Sequence, residues 1–164
     1  HSDVYALFAE PRAAISERIA EIRAVAGAAG RHIGFSLSVR PIIADTEAAA
    51  WDKAQDILQS IRDSAVRYPG KPLDRSGARM MAHAEAGDLF DDRLWLGIAK
   101  ATGAVGNTSC LVGTPVQVAQ SLLEYYRLGV DHFLLRGFDP LNDAEEYGRE
   151  LIPVLREMTS AAAD

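Results

Sequence analysis

The chain has 164 residues, 48% of them hydrophobic and 24% charged, with a formal net charge of −6. That balance suits one soluble domain with its own core, and the acidic excess argues against nucleic acid or an anionic membrane as partner. No run of about 18 apolar residues occurs, so no membrane span is expected, and the single cysteine, Cys110, rules out an internal disulfide and points to the cytoplasm.

In chain order, no signal-peptide pattern opens the chain, yet it begins at His1 and not at Met, so further sequence is expected upstream. Asp3 to Phe8 reads as a short, largely apolar strand. Pro11 then stands at a helix start, and Ile15, Ile19, Ile22 and Val25 form one apolar helical face that Gly30 closes. In IGFSLSVRPII, Phe35, Leu37 and Val39 alternate with Ser36, Ser38 and Arg40, the period of a strand with one apolar face. Pro41 has no N–H for a ladder, so pairing is expected to weaken there. Asp45 or Thr46 caps a helix whose apolar face is Ala50, Ala54, Ile57, Ile61 and Ala65, ended by Tyr68-Pro69-Gly70.

Residues 69–110 show no clean strand and read as an insertion, with short helices expected around Ala78 to Ala86 and Asp91 to Ala101. Its GAVGNTS turn is not a P-loop; it suits a mobile lid, with Lys100 and Thr102 as contacts on closure. Thr114-Pro115-Val116-Gln117 is a capping box with proline at N1, and Val118, Leu122 and Tyr125 form the buried face behind it. Val130 to Leu135 is a strand, followed by RGFDPL. Asn142 caps a last helix with Tyr147, Leu151, Val154, Leu155 and Met158 inward, and Pro153 should kink it. Strands alternating with helices favour parallel pairing. Three strands with two open edges look like a piece of a larger sheet or barrel.

Together, SDVYALFAEP, ISERIAEI, RPIIADTEAAAW, LVGTPVQVAQSLLEYYRLGVDHFLLRGFDPL and EYGRELIPVLRE resemble the bacterial luciferase-like monooxygenases, most of all the alkanesulfonate monooxygenase type. The resemblance implies an α/β fold: the C-terminal part of a (β/α)₈ TIM barrel, strands six to eight, as a single partial domain over residues 1–164. The insertion at about 69–110 would then lie between strands seven and eight. It further implies an oxidoreductase that takes reduced FMN from a separate flavin reductase and uses O₂ to oxygenate a small organic substrate. The flavin phosphate site would lie upstream, so the missing barrel half or another chain becomes a partner, and open edges favour a homo-oligomer. Two alternatives stay open: an F420-dependent oxidoreductase on the same barrel, and a non-catalytic truncated half-barrel.

Chemistry in such barrels sits at the C-terminal ends of the strands, which selects Phe8 with Glu10, Ser38 with Arg40, and Arg136 with Gly137 and Phe138. Phe8 stands where the alkanesulfonate type would have tryptophan; it walls the substrate or flavin, or packs as a rim aromatic. That type has Arg-x-His where this chain has Ser38-Val39-Arg40, so a sulfonate role does not pass to Ser38, which stays a substrate-side candidate. Arg40, the catalytic candidate, is no general base, because its pKa exceeds about 12; it holds an anionic group or pairs with a carboxylate. Arg136 contacts substrate or flavin, or forms a salt bridge to Asp139 or to a barrel loop. Phe138 replaces an expected tyrosine; with the changes at Ser38 and Arg40 this points to a less anionic substrate than a sulfonate, or to a different member of the group. His32, His83 and His132 lack ligand spacing, so no metal site is expected. Cys110 is expected to pack as a small apolar residue.

Overall fold

The computed structural model describes residues 2–64, 66, 68, 71–106 and 108–161. Strand β1 (Val4–Phe8) leads through helix α1 (Arg12–Ala28) to the ten-residue strand β2 (Gly34–Ile43) and helix α2 (Glu47–Asp63). Helix α3 (Arg75–Ala86), the short strands β3 (Leu89–Phe90) and β4 (Leu94–Trp95), and helix α4 (Gly97–Thr102) follow. Strand β5 (Cys110–Gly113), helix α5 (Pro115–Arg127), strand β6 (His132–Leu135), helix α6 (Pro140–Glu146), a π-helical turn (Tyr147–Leu151) and helix α7 (Ile152–Ala161) complete the chain.

Strand β2 carries the sheet. Its first half lies between β1 and β6, both parallel to it: Phe8 is level with Ser38, and Leu135 with Val39. Its second half, Arg40 to Ile43, pairs in parallel with Cys110 to Gly113 of β5. Beyond β5 the pairing turns antiparallel, through β4 to β3. The result is a mixed, curled half-barrel of α/β type. Among the described residues β1 and β6 pair with β2 alone, so each has one open edge.

The period of two in β2 assigns its side chains to two cores. Phe35, Leu37 and Val39 are fully buried with Leu7, Ile15, Ile19, Leu122, Tyr125 and Leu151, joining the sheet to α1, α5 and the C-terminal helix. Ile42 joins Ala50, Ala54, Leu58, Trp95, Ile98, Cys110 and Val112 in a second cluster under α2. There Trp51 meets Trp95 edge to face at 5.8 Å, the geometry the ring quadrupoles favour. The strand residues that share a face with Ser36 and Ser38 are left more open: Val4 is 43% and Leu134 54% exposed.

Several local expectations hold. The capping box forms in full: Gln117 N donates to Thr114 Oγ1 at 3.3 Å and Thr114 N to Gln117 Oε1 at 2.9 Å. Thr46 caps α2 by accepting from Ala49 N, and Gly30 closes α1 at φ +67°, a left-handed conformation that glycine adopts without a Cβ penalty.

Other expectations are corrected. The insertion does contain strands, too short to show a period: β3 and β4 form a hairpin in which Asp91 and Asp92 take φ of 50° and 68°, tolerable because Asp visits the left-handed region. The helix expected from Asp91 therefore begins only at Gly97. Pro41 does not weaken β2; the strand runs to Ile43, changes partner beside Pro41, and the Pro41 carbonyl accepts from the Tyr147 hydroxyl at 2.5 Å. Asp139, not Asn142, caps the last helix, accepting from Asn142 N. The irregularity expected at Pro153 takes the form of a π turn over Tyr147–Leu151, just before the proline, which accommodates the lost donor and the crowding at the Arg149 carbonyl. Val25 is 74% exposed and belongs to neither core. Ala65, Pro69 and Gly70 of the expected α2 face and its end lie outside the described residues.

Two outcomes follow from these contacts. Thr114→Ala should lower the unfolding free energy by about 1 kcal/mol, read as a shifted urea midpoint at constant slope. Burial pushes the Cys110 thiol up to about 12, so at pH 8 the folded chain should leave a thiol reagent untouched and label fully only in denaturant.

Candidate functional site

Arg40, in the interior of β2 level with the end of β6, and the loop after β6 meet the insertion around a cavity of about 570 Å³. Arg40, Arg136, Gly137, Phe138 and Tyr147 line the strand side, and Ile61 of α2 with Ile98, Thr102, Val105 and Thr108 line the other. The strand period places Arg40 on the face opposite Val39, where it is half-buried. Its Nη1 donates to the Gly137 carbonyl, and its guanidinium lies over the Phe138 ring, 4.8 Å from the centroid, a cation–π contact. Burial first, and the Arg136 charge second, lower the Arg40 pKa; starting as high as a guanidinium does, the group stays charged.

The loop that makes this contact is shaped by Asp143. One carboxylate oxygen, Oδ2, accepts from Phe138 N at 2.6 Å and from Asp139 N at 2.9 Å. The backbone of residue 137 passes so close that a Cβ there would stand 2.3 Å from Asp143 Cβ, so glycine is required by space. Tyr147 is buried, and burial raises its phenol pKa; it stays protonated and donates to Pro41. On the insertion side Thr102 Oγ1 donates to the Ile98 carbonyl at 2.9 Å and Thr108 Oγ1 to Met80 Sδ at 3.7 Å.

Of the residues singled out in the sequence, Arg40, Arg136 and Phe138 come together on this cavity. Phe8 and Ser38 do not line it: Phe8 packs against the larger core, and Ser38, level with it across the ladder, is buried. Arg136 is exposed, its N–H extends the ladder to Val39 O at 3.1 Å, and Asp139 serves as a helix cap. Thr102 reaches the cavity, whereas Lys100 pairs with Asp88 at 3.0 Å. Asn107 of the expected lid turn lies outside the described residues. Glu10 is 3% exposed and clamps the insertion, holding Arg79 Nε at 3.1 Å with His83 Nε2 at 3.7 Å. Asp143 escaped the sequence reading, although Asp139 and Asp143 stand one helical turn apart beside a glycine. Tyr147 was read only as core, although a buried tyrosine hydroxyl needs an acceptor.

Gly137→Ala should unfold at lower urea, by about 1–3 kcal/mol, the scale of forced overpacking; an unchanged midpoint would show that the loop relaxes around the methyl group.

Comparison with known proteins agrees with this architecture. The chain superposes on riboflavin lyase (RcaE), seen with modified FMN and riboflavin, at TM-score 0.68 and 23% identity, over 97% of this chain and 39% of that one. For DmoA from Hyphomicrobium sulfonivorans the values are 0.68 and 18%, over 96% and 38%. For the EDTA monooxygenase (EmoA) from Chelativorans sp. BNC1 they are 0.62 and 20%, over 95% and 40%. The chain thus spans about two fifths of the length of these structures. The profile of the luciferase-like monooxygenases matches residues 1–132. With the half-barrel and its strand-end cavity, that match establishes that the chain belongs to the luciferase-like monooxygenase family.

Proposed function

We propose that the chain is the C-terminal part, barrel strands six to eight, of a flavin-dependent monooxygenase that oxygenates a small organic substrate with O₂ and reduced FMN. The observation that carries this reading is the cavity where Arg40, Phe138 and Arg136 converge at the strand ends, in a chain of this family. That riboflavin lyase is seen with modified FMN supports the choice of flavin.

The rim residues fit one edge of such a group. A guanidinium held over an aromatic ring is a positive charge beside a planar wall, and Arg40, Arg136 and Phe138 would face the flavin or the substrate from this side. Reduced FMN, when bound, supplies the electrons that activate O₂. Arg40 takes up no proton; it stabilises negative charge from a fixed position, so little reorganisation accompanies reaction. Ile61, Ile98 and Phe138 supply the apolar part of the cavity wall. Phe8 and Ser38 are further substrate-side candidates, on the strand neighbouring and the strand carrying Arg40. A separate flavin reductase would deliver the reduced cofactor, and the remaining barrel strands would hold its phosphate.

A second reading is favoured by the open edges of β1 and β6 and the exposed Val4 and Leu134: a non-catalytic half-barrel that works only when another chain, or a second copy, covers that face.

The test compares the chain with a longer product translated from upstream of His1, by quenching of FMN fluorescence and by ¹⁸O₂ incorporation into small organic substrates. Saturable quenching by the longer product, with label incorporation falling about 10²-fold in Arg40→Gln, is the expected result. A longer product that binds no FMN would overturn the oxygenase reading. Tight binding by the 164-residue chain alone would overturn the assignment of the phosphate site to upstream strands.

A further inference from the structure

We propose that the cavity between Arg40 of β2, the end of β6 and the insertion binds the carboxylate head of a small organic anion, with the apolar remainder of the molecule lying against the insertion. The inference rests on that cavity being the substrate site of the proposed oxygenase.

Charge carries it first. The chain as a whole has 23 acidic against 17 basic residues, yet this cavity reverses the sign: Arg40 and Arg136 line it, with no aspartate or glutamate among the lining residues described. Asp143 on the loop accepts from the amides of Phe138 and Asp139 and is not part of the lining, although its charge partly offsets that of Arg136 at Arg40. Two cations facing one cavity repel each other, and the lowered pKa of Arg40, caused by burial and then by Arg136, is consistent with that. An anion between them removes the repulsion.

The hydroxyl groups narrow the choice. Each of the three on the lining with an assigned partner directs its proton into the protein: Thr102 to Ile98 O, Thr108 to Met80 Sδ and Tyr147 to Pro41 O. Recognition of a ligand oxygen is then left to the guanidiniums, whose planar fork matches a carboxylate, together with the Tyr68 phenol on the same lining. The opposite wall presents Ile61, Ile98 and Val105 beside two threonines whose hydroxyl protons are turned into the protein. A volume of about 570 Å³ is within the range of small-molecule sites. An anionic head with a short hydrocarbon body satisfies both walls; a neutral alkane or a compact inorganic anion satisfies only one.

The purified chain is titrated with hexanoate, with hexanamide of the same shape but no charge, and with inorganic phosphate, binding being read by calorimetry and ligand-observed NMR. Hexanoate should bind about tenfold or more tightly than hexanamide or phosphate, and Arg136→Gln, at an exposed position that leaves the cores intact, should cost hexanoate a similar factor. Equal binding of acid and amide, no binding of either, or an unaltered Arg136→Gln would overturn the proposal. FMN displacing hexanoate at lower concentration would overturn it too, by making the anion a flavin phosphate. Because this readout needs no turnover, it fails separately from the oxygenase reading. Hexanoate selectivity beside a longer product that binds no FMN would sink only the oxygenase, and the converse would sink only the carboxylate.

Discussion

The arrangement depends on one strand that changes partner in its middle. Up to Val39, β2 is the inner strand of a parallel trio; from Arg40 it is the neighbour of β5. The switch falls where β1 and β6 have run out, so Arg40 stands at the point where three chain segments end or begin. Pro41 makes the change cheap: it offers no N–H that a departing neighbour would leave unpaired, and its carbonyl is taken by Tyr147. The insertion is thereby attached to the sheet by a continuous ladder rather than by side chains alone, which fixes one wall of the cavity against the other.

Electrostatics then secures what the ladder leaves loose. Glu10 at the end of β1 holds α3 through Arg79, and Asp91 in the hairpin turn accepts from Arg12 N at 2.7 Å, at the start of α1. Arg93 reaches Glu47 at the start of α2, and that carboxylate also accepts from Gln117 of the capping box at 2.8 Å. These pairs are mostly half-exposed, so each is worth little alone. Their placement matters more: each joins the insertion, or the start of a helix, to a different part of the frame.

Much of this was legible in the chain, for a physical reason. Long periodic elements announce themselves, so the alternation around Phe35 to Arg40 and the Thr114 capping box translate directly into structure. Two-residue strands cannot show a period, and the β3–β4 hairpin stayed hidden until its aspartates were seen in left-handed conformations. The site divided along the same line. Arg40, Arg136 and Phe138 became candidates because strand ends in this architecture point to one rim, and all three line the cavity. Thr102 was a candidate from the lid turn, whereas Asp143 and Thr108 could not be found, because their roles depend on how the loop and insertion fold back. Phe8 and Ser38 share the strand-end logic but end up buried or packed beside the cavity rather than on it.

The π turn before Pro153 has a geometrical effect that reaches the rim. Asp143, Tyr147, Leu151 and Leu155 are spaced by four, and in an uninterrupted α-helix each such step drifts about 40° around the axis. The wider π turn takes back part of that drift. One straight stripe can therefore serve three clients: the loop amides through Asp143, the β2 carbonyl through Tyr147, and the outer core through Leu151 and Leu155. The last helix thus acts as a ruler that sets where the Phe138 ring stands relative to the body of the half-barrel. Its angular phase is as much a part of the cavity as the residues that line it.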